Sequence, residues 1–235
     1  MKASHTLDSI RVSFDEEHLV ANAGLLLPAT LMQRLGVRDL LDEHVHLGGV
    51  PGAARVGLKG SALVAALLTG AKWINDVAVL RAGKTAKVLG HWVAAASTMG
   101  TFLRAFTWGH VRQLDAVNGE LLQRAWRMGA GPGAAPLTID VDSMVYETYG
   151  LQKQGASKFT YTKVRGYHPL LAVAAELGDV LHTRPRGGPA FSARGAACFI
   201  TETVNHHIFA HAARPKSRRP GHHQTVNAPD RASTG

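Results

Sequence analysis

The chain has 235 residues, of which 46% are hydrophobic and 18% charged, and it carries a formal net charge of +9. That length can bury one sizeable core or two small ones. A balance this basic favours polyanionic partners, because Lys and Arg that neutralise phosphates release condensed counterions. A soluble protein with a basic tail is the plainer alternative. With Cys198 as its only cysteine, the sequence excludes an intrachain disulfide and any zinc site built on cysteines. Residues 1–10 hold one Lys and no apolar stretch, unlike a secretory signal, and the longest apolar run, 62–68, falls far short of the roughly 20 residues a membrane span needs. The expected location is cytoplasmic and nucleoid-associated, with no membrane contact.

Taken in chain order, residues 9–14 alternate apolar and polar (Ile10, Val12, Phe14), the pattern of a short half-buried strand. Residues 25–35 follow helical spacing, with Pro28 placed for a first turn. A second helix is expected over 38–44, then a loop at Gly48, Gly49, Pro51 and Gly52, then a buried helix over 59–68. Ile74, Val77, Val79 and Leu80 give a short helix with Asn75 as its cap candidate, and 85–89 adds another turn or two. In 97–106 the cap-type residues Ser97 and Thr98 precede Met99, Phe102, Leu103 and Phe106 on one face. Helical spacing resumes from Val111 to about Met128, so residues 1–128 read as a mainly helical N-terminal domain.

Residues 129–136, Gly-Ala-Gly-Pro-Gly-Ala-Ala-Pro, form the clearest linker. Beyond it the period changes. Strands are expected over 137–142, 167–175 and 180–186, the last two joined by the turn Glu176-Leu177-Gly178-Asp179, and a helix over 192–208. The whole is therefore a mixed α+β or α/β chain whose α/β part spans 137–210. The tail, 211–235, has Val226 as its one sizeable aliphatic residue, three prolines and a basic run at Lys216, Arg218 and Arg219. Such a composition cannot offset its ordering entropy, and disorder is expected.

Asp140 and Asp142 end the first strand after the linker. Side chains two apart on a strand face the same way, so both carboxylates project from one face. Paired oxygens of this kind suit Mg²⁺ or Mn²⁺, hard cations that hold phosphate oxygens and activate a hydroxyl for in-line attack; a turn or cap is the plainer use of such a pair. Lys153, Lys158, Lys163 and Arg165 are interspersed with Phe159, Tyr161 and Tyr167, a mixture suited to phosphate contacts and base stacking, or else to an ordinary solvated hairpin. The 97–127 helices could form a helix-turn-helix-like unit presenting Arg104, His110 and Arg112 to DNA, or could simply pack. Among thirteen histidines, His207 and His211 have a zinc-compatible spacing with no third ligand fixed nearby, so the histidines read as incidental. Lys84 lacks the upstream strand and glycine of a phosphate loop.

Residues 9–204 resemble the DDE transposases of bacterial insertion sequences. The likeness is closest in 19–35, in 76–91 with Val79-Leu80-Arg81-Ala82-Gly83, in 97–115 and in 137–194. The resemblance implies a ribonuclease-H-like catalytic core using Mg²⁺ or Mn²⁺, with transposon-end DNA as partner and a dimer as the working unit. It puts the first catalytic and metal-binding aspartate at Asp140 or Asp142, which one sequence does not separate. Gly166-Tyr167-His168-Pro169-Leu170-Leu171 is similar to the family's second strand. The segment Arg184-Pro185-Arg186-Gly187-Gly188, followed by Arg194-Gly195, is similar to the loop after its third, and so adds Arg184 and Arg186 to the DNA-contact candidates.

The family also implies a second aspartate on a fourth strand beside the first and a glutamate on a later helix. After Ile208 no apolar strand ending in Asp follows, and Asp230 lies in a polar, proline-containing stretch. Of the remaining acids, Glu147, Glu176, Asp179 and Glu202, none falls on the expected neighbouring strand. The sequence therefore reads as the front part of a truncated transposase with little or no strand transfer. The alternatives are a non-enzymatic DNA-binding fragment that interferes with an intact transposase through a mixed dimer, and an unstable relic.

Overall fold

The computed structural model describes residues 20–149, 158–191 and 193–205. The strand expected at 9–14, the tail at 211–235 and Lys153 lie outside the described residues. After a 3-10 turn, Ala23–Leu25, come six helices: α1 (Leu26–Leu35), α2 (Val37–His44), α3 (Val56–Leu68), α4 (Thr85–Leu89), α5 (Ala96–Arg104) and α6 (Trp108–Ala125), with a 3-10 segment, Ile74–Arg81, between α3 and α4. Five strands follow, β1 (Ile139–Ser143), β2 (Tyr146–Glu147), β3 (Gly166–Tyr167), β4 (Leu170–Ala174) and β5 (Asp179–Arg184), and then α7 (Ala196–Thr203). The fold is α+β, with helices first and an antiparallel sheet after them.

Two adjoining apolar clusters hold the helices. Leu25, Ala62, Ala65, Val77, Leu80 and Met99 form one, and Leu40, Leu41, Val45, Val56, Phe102 and Val117 the other, with Met32 and Leu63 packed against both. The helix ends are closed by side chains from elsewhere in the fold. Asp42 on α2 accepts the Gly57 N–H at the start of α3 (2.7 Å), and Arg124 on α6 donates to the Leu35 carbonyl at the end of α1 (2.8 Å). Gly36 links α1 to α2 at φ 70°. The left-handed turn favours glycine, and a Cβ there, 2.5 Å from the Arg124 guanidinium, would displace that cap.

Two expected caps are placed differently. Asp76, and not Asn75, receives the Lys72 and Trp73 N–H groups at 2.8 Å each. These two backbone hydrogen bonds hold its carboxyl below the usual range. Helix α5 begins one residue before Ser97, and neither Ser97 nor Thr98 caps it. At the start of α6 the cap is mutual, since the Thr107 N–H donates to His110 Nδ1 at 2.8 Å.

The three-stranded sheet has the order β1-β4-β5, all antiparallel. Its third cluster contains Leu170, Ala172, Ala174, Leu181, Phe199 and Trp126. Trp126 belongs to the π-helical turn Trp126–Ala130 that closes α6, so the helical part of the chain supplies a side chain to the sheet's core. The α6–β5 seam also carries Asn118 Nδ2 to the Val180 carbonyl (2.8 Å) and Trp126 Nε1 to Asp179 (2.7 Å).

Sequence periodicity anticipates one strand over 167–175, and the structure shows two. Pro169 has no N–H for a ladder, and the chain breaks at His168-Pro169 into β3, which pairs with β2 in a separate two-stranded ribbon, and β4 in the main sheet. Gly166 is essential to that ribbon, because a Cβ would lie 2.1 Å from the Tyr146 carbonyl oxygen. In β5 the register slips between Ala172 and Val173 of its partner strand. This bulge lets the adjacent residues Leu181 and His182 both turn inward, which strict alternation forbids.

Candidate functional site

Burial along β1 alternates, with Ile139 and Val141 turned toward the core and Asp140 and Asp142 exposed. The two carboxylates therefore share the outward face of the sheet, as period two requires. Their strand is at the sheet's edge: β4 pairs along one side of β1, and no strand lies along the other among the described residues. Asp142 Oδ1 accepts the Ser143 N–H at 2.7 Å. As a donor set, two carboxylates on one strand fit one hard cation whose other ligands come from phosphate or water oxygens. They do not fit a pair of ions. Among the described residues no group of three or more His, Cys, Asp and Glu side chains is placed to hold a metal.

Three of the other acids after the linker are engaged in holding the fold, while Glu147 is exposed on β2. Glu176 accepts the Thr138 N–H at 3.0 Å, and Asp179 accepts the Trp126 indole. Glu202 lies between Arg184 and His182.

Behind β1, the segment that sequence reading treats only as strand supplies the site's support. His168 is 1% exposed. Its Nδ1 lies 2.7 Å from the Ala190 carbonyl, which only accepts, so the proton is on Nδ1. In the neutral ring Nε2 then accepts from the Ser143 hydroxyl, 3.2 Å away. His168 thus ties the end of β1, next to Asp142, to the loop after β5. The signal available in the sequence is a histidine inside an otherwise apolar strand, immediately before proline.

The basic candidates separate by placement. Lys158 and Lys163 are exposed, and Arg165 stands over the Phe159 ring at 4.9 Å on the same hairpin. Arg104 and Arg112 are exposed on α5 and α6. His110 is committed to the α6 cap and to an edge contact with Phe106. Arg184 pairs with Glu202, donates to the Gly195 carbonyl (3.2 Å) and lies over the Phe199 ring. Arg186 is buried and donates to the carbonyls of His168, Phe191 and Arg194. The structure therefore gives these two arginines an internal task in addition to, or in place of, the DNA contact the sequence suggests: they hold the loop after β5.

On the opposite face of the sheet, a cleft of about 620 Å³ separates α6 from β5 and α7. Its wall includes Arg112, Asp115, His182, Arg184 and Glu202. His182 Nδ1 is 2.8 Å from Asp115 and its Nε2 is 3.4 Å from Glu202, while its ring stacks on Phe199 at 4.7 Å. Burial would raise the Glu202 carboxyl, but hydrogen bonds from Arg184, Cys198 and His182 outweigh it and hold the carboxyl below its ordinary 4.5. A depressed folded-state pKa contributes stability that is complete above the unfolded value and is lost as pH falls through the folded one. Glu202→Gln is therefore expected to flatten the acid side of the stability curve below about pH 4.5. Urea midpoints at pH 3–7 check this; an unchanged slope would remove Glu202 from the acid response.

Helices thus lead into an antiparallel sheet whose edge strand, among the described residues, presents two outward carboxylates. Residues 3–217 match the family model described as transposase DDE domain group 1, and the chain belongs to that family. Its members move DNA segments and generally use divalent metal ions. Comparison with curated proteins finds no match. Comparison with solved structures finds none. No helix among the described residues is long and apolar enough to cross a membrane.

Proposed function

We propose that residues 1–235 are a DNA-binding part of a DDE transposase that carries the first acid of the catalytic set without the other two. The supporting observation is the position of Asp140 and Asp142, which share one exposed face of a strand whose far side is unpaired among the described residues. In the family this reading follows, a second aspartate belongs on a strand along that side. After Ile208 the given sequence offers no apolar strand ending in Asp. Asp140 and Asp142 would hold a Mg²⁺ or Mn²⁺ ion, which when bound polarises a phosphate and lowers the pKa of an attacking water or hydroxyl. With one carboxylate cluster, the opposing oxygen of an in-line displacement has no protein-held counter-charge, and strand transfer is not expected.

The DNA contact is assigned to Lys158, Lys163 and Arg165 on the ribbon side, with Arg104 and Arg112 as a second basic surface on the helices. Each phosphate contact contributes about −0.9 to the slope of log K against log salt. Lys158→Ala/Lys163→Ala is therefore expected to lower that slope by about 2 and to weaken duplex binding roughly tenfold at low salt. Fluorescence anisotropy between 50 and 200 mM salt measures both. A supercoiled plasmid with Mn²⁺ tests catalysis, and its expected outcome is binding without nicks. Nicking that Asp140→Asn or Asp142→Asn abolishes would show a working site and overturn the incomplete-set reading. The side of β1 that is unpaired among the described residues also favours a second role, assembly with an intact transposase in a mixed dimer, which would appear as reduced transposition when the two are co-expressed.

A further inference from the structure

The hairpin spanning 158–165 has features that an ordinary surface turn does not need. Phe159 and Arg165 form its antiparallel bridge. The turn is fixed by Thr160 N–H to the Val164 carbonyl (2.8 Å), Thr160 hydroxyl to the same carbonyl (2.9 Å) and Lys163 N–H to the Thr160 carbonyl (3.0 Å), with Lys163 at φ 64°. Thr160 is buried beneath it. This rigid turn presents Tyr161 with 74% of its surface exposed. The ring is nevertheless located, because it packs on His168 at 5.4 Å between centroids. His168 bonds to Ser143, and Ser143 bonds to Asp142. Tyr161 is thus anchored to the end of β1 through His168 and the Ser143 hydroxyl, on the face of the strand opposite Asp142.

Within the hairpin the charge is of one sign, with Glu147 on the paired strand opposite Gly166 as a neighbouring acid. Lys158, Lys163 and Arg165 fall within eight residues, and residues 158–168 contain no acid. An exposed, pre-positioned aromatic ring among cations offers a π-face for a base and countercharge for its backbone. Bases inside an intact duplex have both faces covered by their neighbours, so a single protruding ring favours an unpaired base, whose faces are both accessible, over a paired one.

We infer that Tyr161 stacks on an unpaired nucleotide, so that the ribbon favours frayed or overhanging DNA over blunt duplex. This rests on the DNA-binding reading above. It assigns that surface a substrate form and names the residue that recognises it.

The test uses the full chain with two DNAs of equal length, one blunt and one with a short overhang containing 2-aminopurine. Stacking of one base corresponds to a preference of about 5- to 150-fold for the overhang, with quenching of the 2-aminopurine emission. Tyr161→Ala is expected to bring overhang affinity down to the blunt-duplex value and to abolish the quenching. Tyr161→Phe keeps both, and far-UV circular dichroism confirms that each variant is folded. Salt-dependent binding of both DNAs with equal affinity, or a preference that survives Tyr161→Ala, overturns the assignment while leaving the DNA reading intact. Failure to bind either DNA at 50 mM salt overturns both.

Discussion

Trp126→Ala is expected to cost about 3–5 kcal/mol and to separate the unfolding of the sheet from that of the helices. Trp126 is 6% exposed and packs among Leu170, Ala172, Ala174, Leu181 and Phe199. It leaves the end of α6, whose earlier residue Val117 lies in the helical core. One helix therefore contributes to two cores, and removing the indole empties the point where they are joined. Its Nε1 donation to Asp179 is lost as well. Trp126→Phe keeps an aromatic ring in the cluster while losing that hydrogen bond and part of the indole's volume, for about 1–2 kcal/mol. The remaining tryptophans, Trp73, Trp92 and Trp108, all precede the linker. In the alanine variant, emission consequently reports the helices while circular dichroism reports the whole. Urea transitions by the two probes should diverge, with the sheet melting first. Coincident transitions within 1 kcal/mol of the unaltered protein would show that α6 does not couple the two parts.

The second large effect is expected at Phe199. Its side chain is fully buried on α7, stacked on His182 with an interplanar angle of 17° and lying beneath the Arg184 guanidinium at 5.4 Å. Phe199→Ala is expected to cost about 3–5 kcal/mol. The lost ring leaves a cavity, and it also removes the apolar floor under the Asp115–His182–Glu202–Arg184 network, admitting water to those ion pairs. Phe199→Leu retains most of the volume and loses the stacking, at about 1–2 kcal/mol. Calorimetric melting temperatures rank the series. An alanine variant as stable as the leucine one would mean that α7 is not a structural element of the sheet's core.

The same two side chains show why the placement of charged groups is so uneven across this protein. His182 and Arg184 project to the face that α6 and α7 cover, and there they are matched by Asp115 and Glu202. Asp140 and Asp142 project to the other face, which no described helix covers. A carboxylate on the covered face has to be paired to offset its desolvation. One on the open face keeps its hydration and remains available to a cation or a phosphate-bound metal. The position of the acids in the sheet, and not their number, is what makes them candidates.

Much of this was legible in the residues themselves. Helical spacing located α1 through α6 to within a few positions, because an amphipathic helix must repeat its apolar face locally. The change to period two after the glycine- and proline-rich stretch 129–136 located the strands, and Asp-Val-Asp fixed two carboxylates on one face of the first. Of the motifs that carried the family resemblance, 166–171 falls across β3 and β4, and 184–188 with 194–195 lies at the end of β5 and in the loop after it. Tertiary structure decided the rest. That Arg186 is buried and bonded to three carbonyls while Lys163 stands free of the fold on a turn follows from which way the loops close, and composition is the same in either case. The break at His168-Pro169, the bulge that turns Leu181 and His182 inward together, and the reach of Trp126 from the helices into the sheet all depend on partners distant in sequence. Local periodicity records what each segment does alone. It does not record which side chain another segment will meet, and that encounter separates a histidine that supports the acidic strand from one that is incidental.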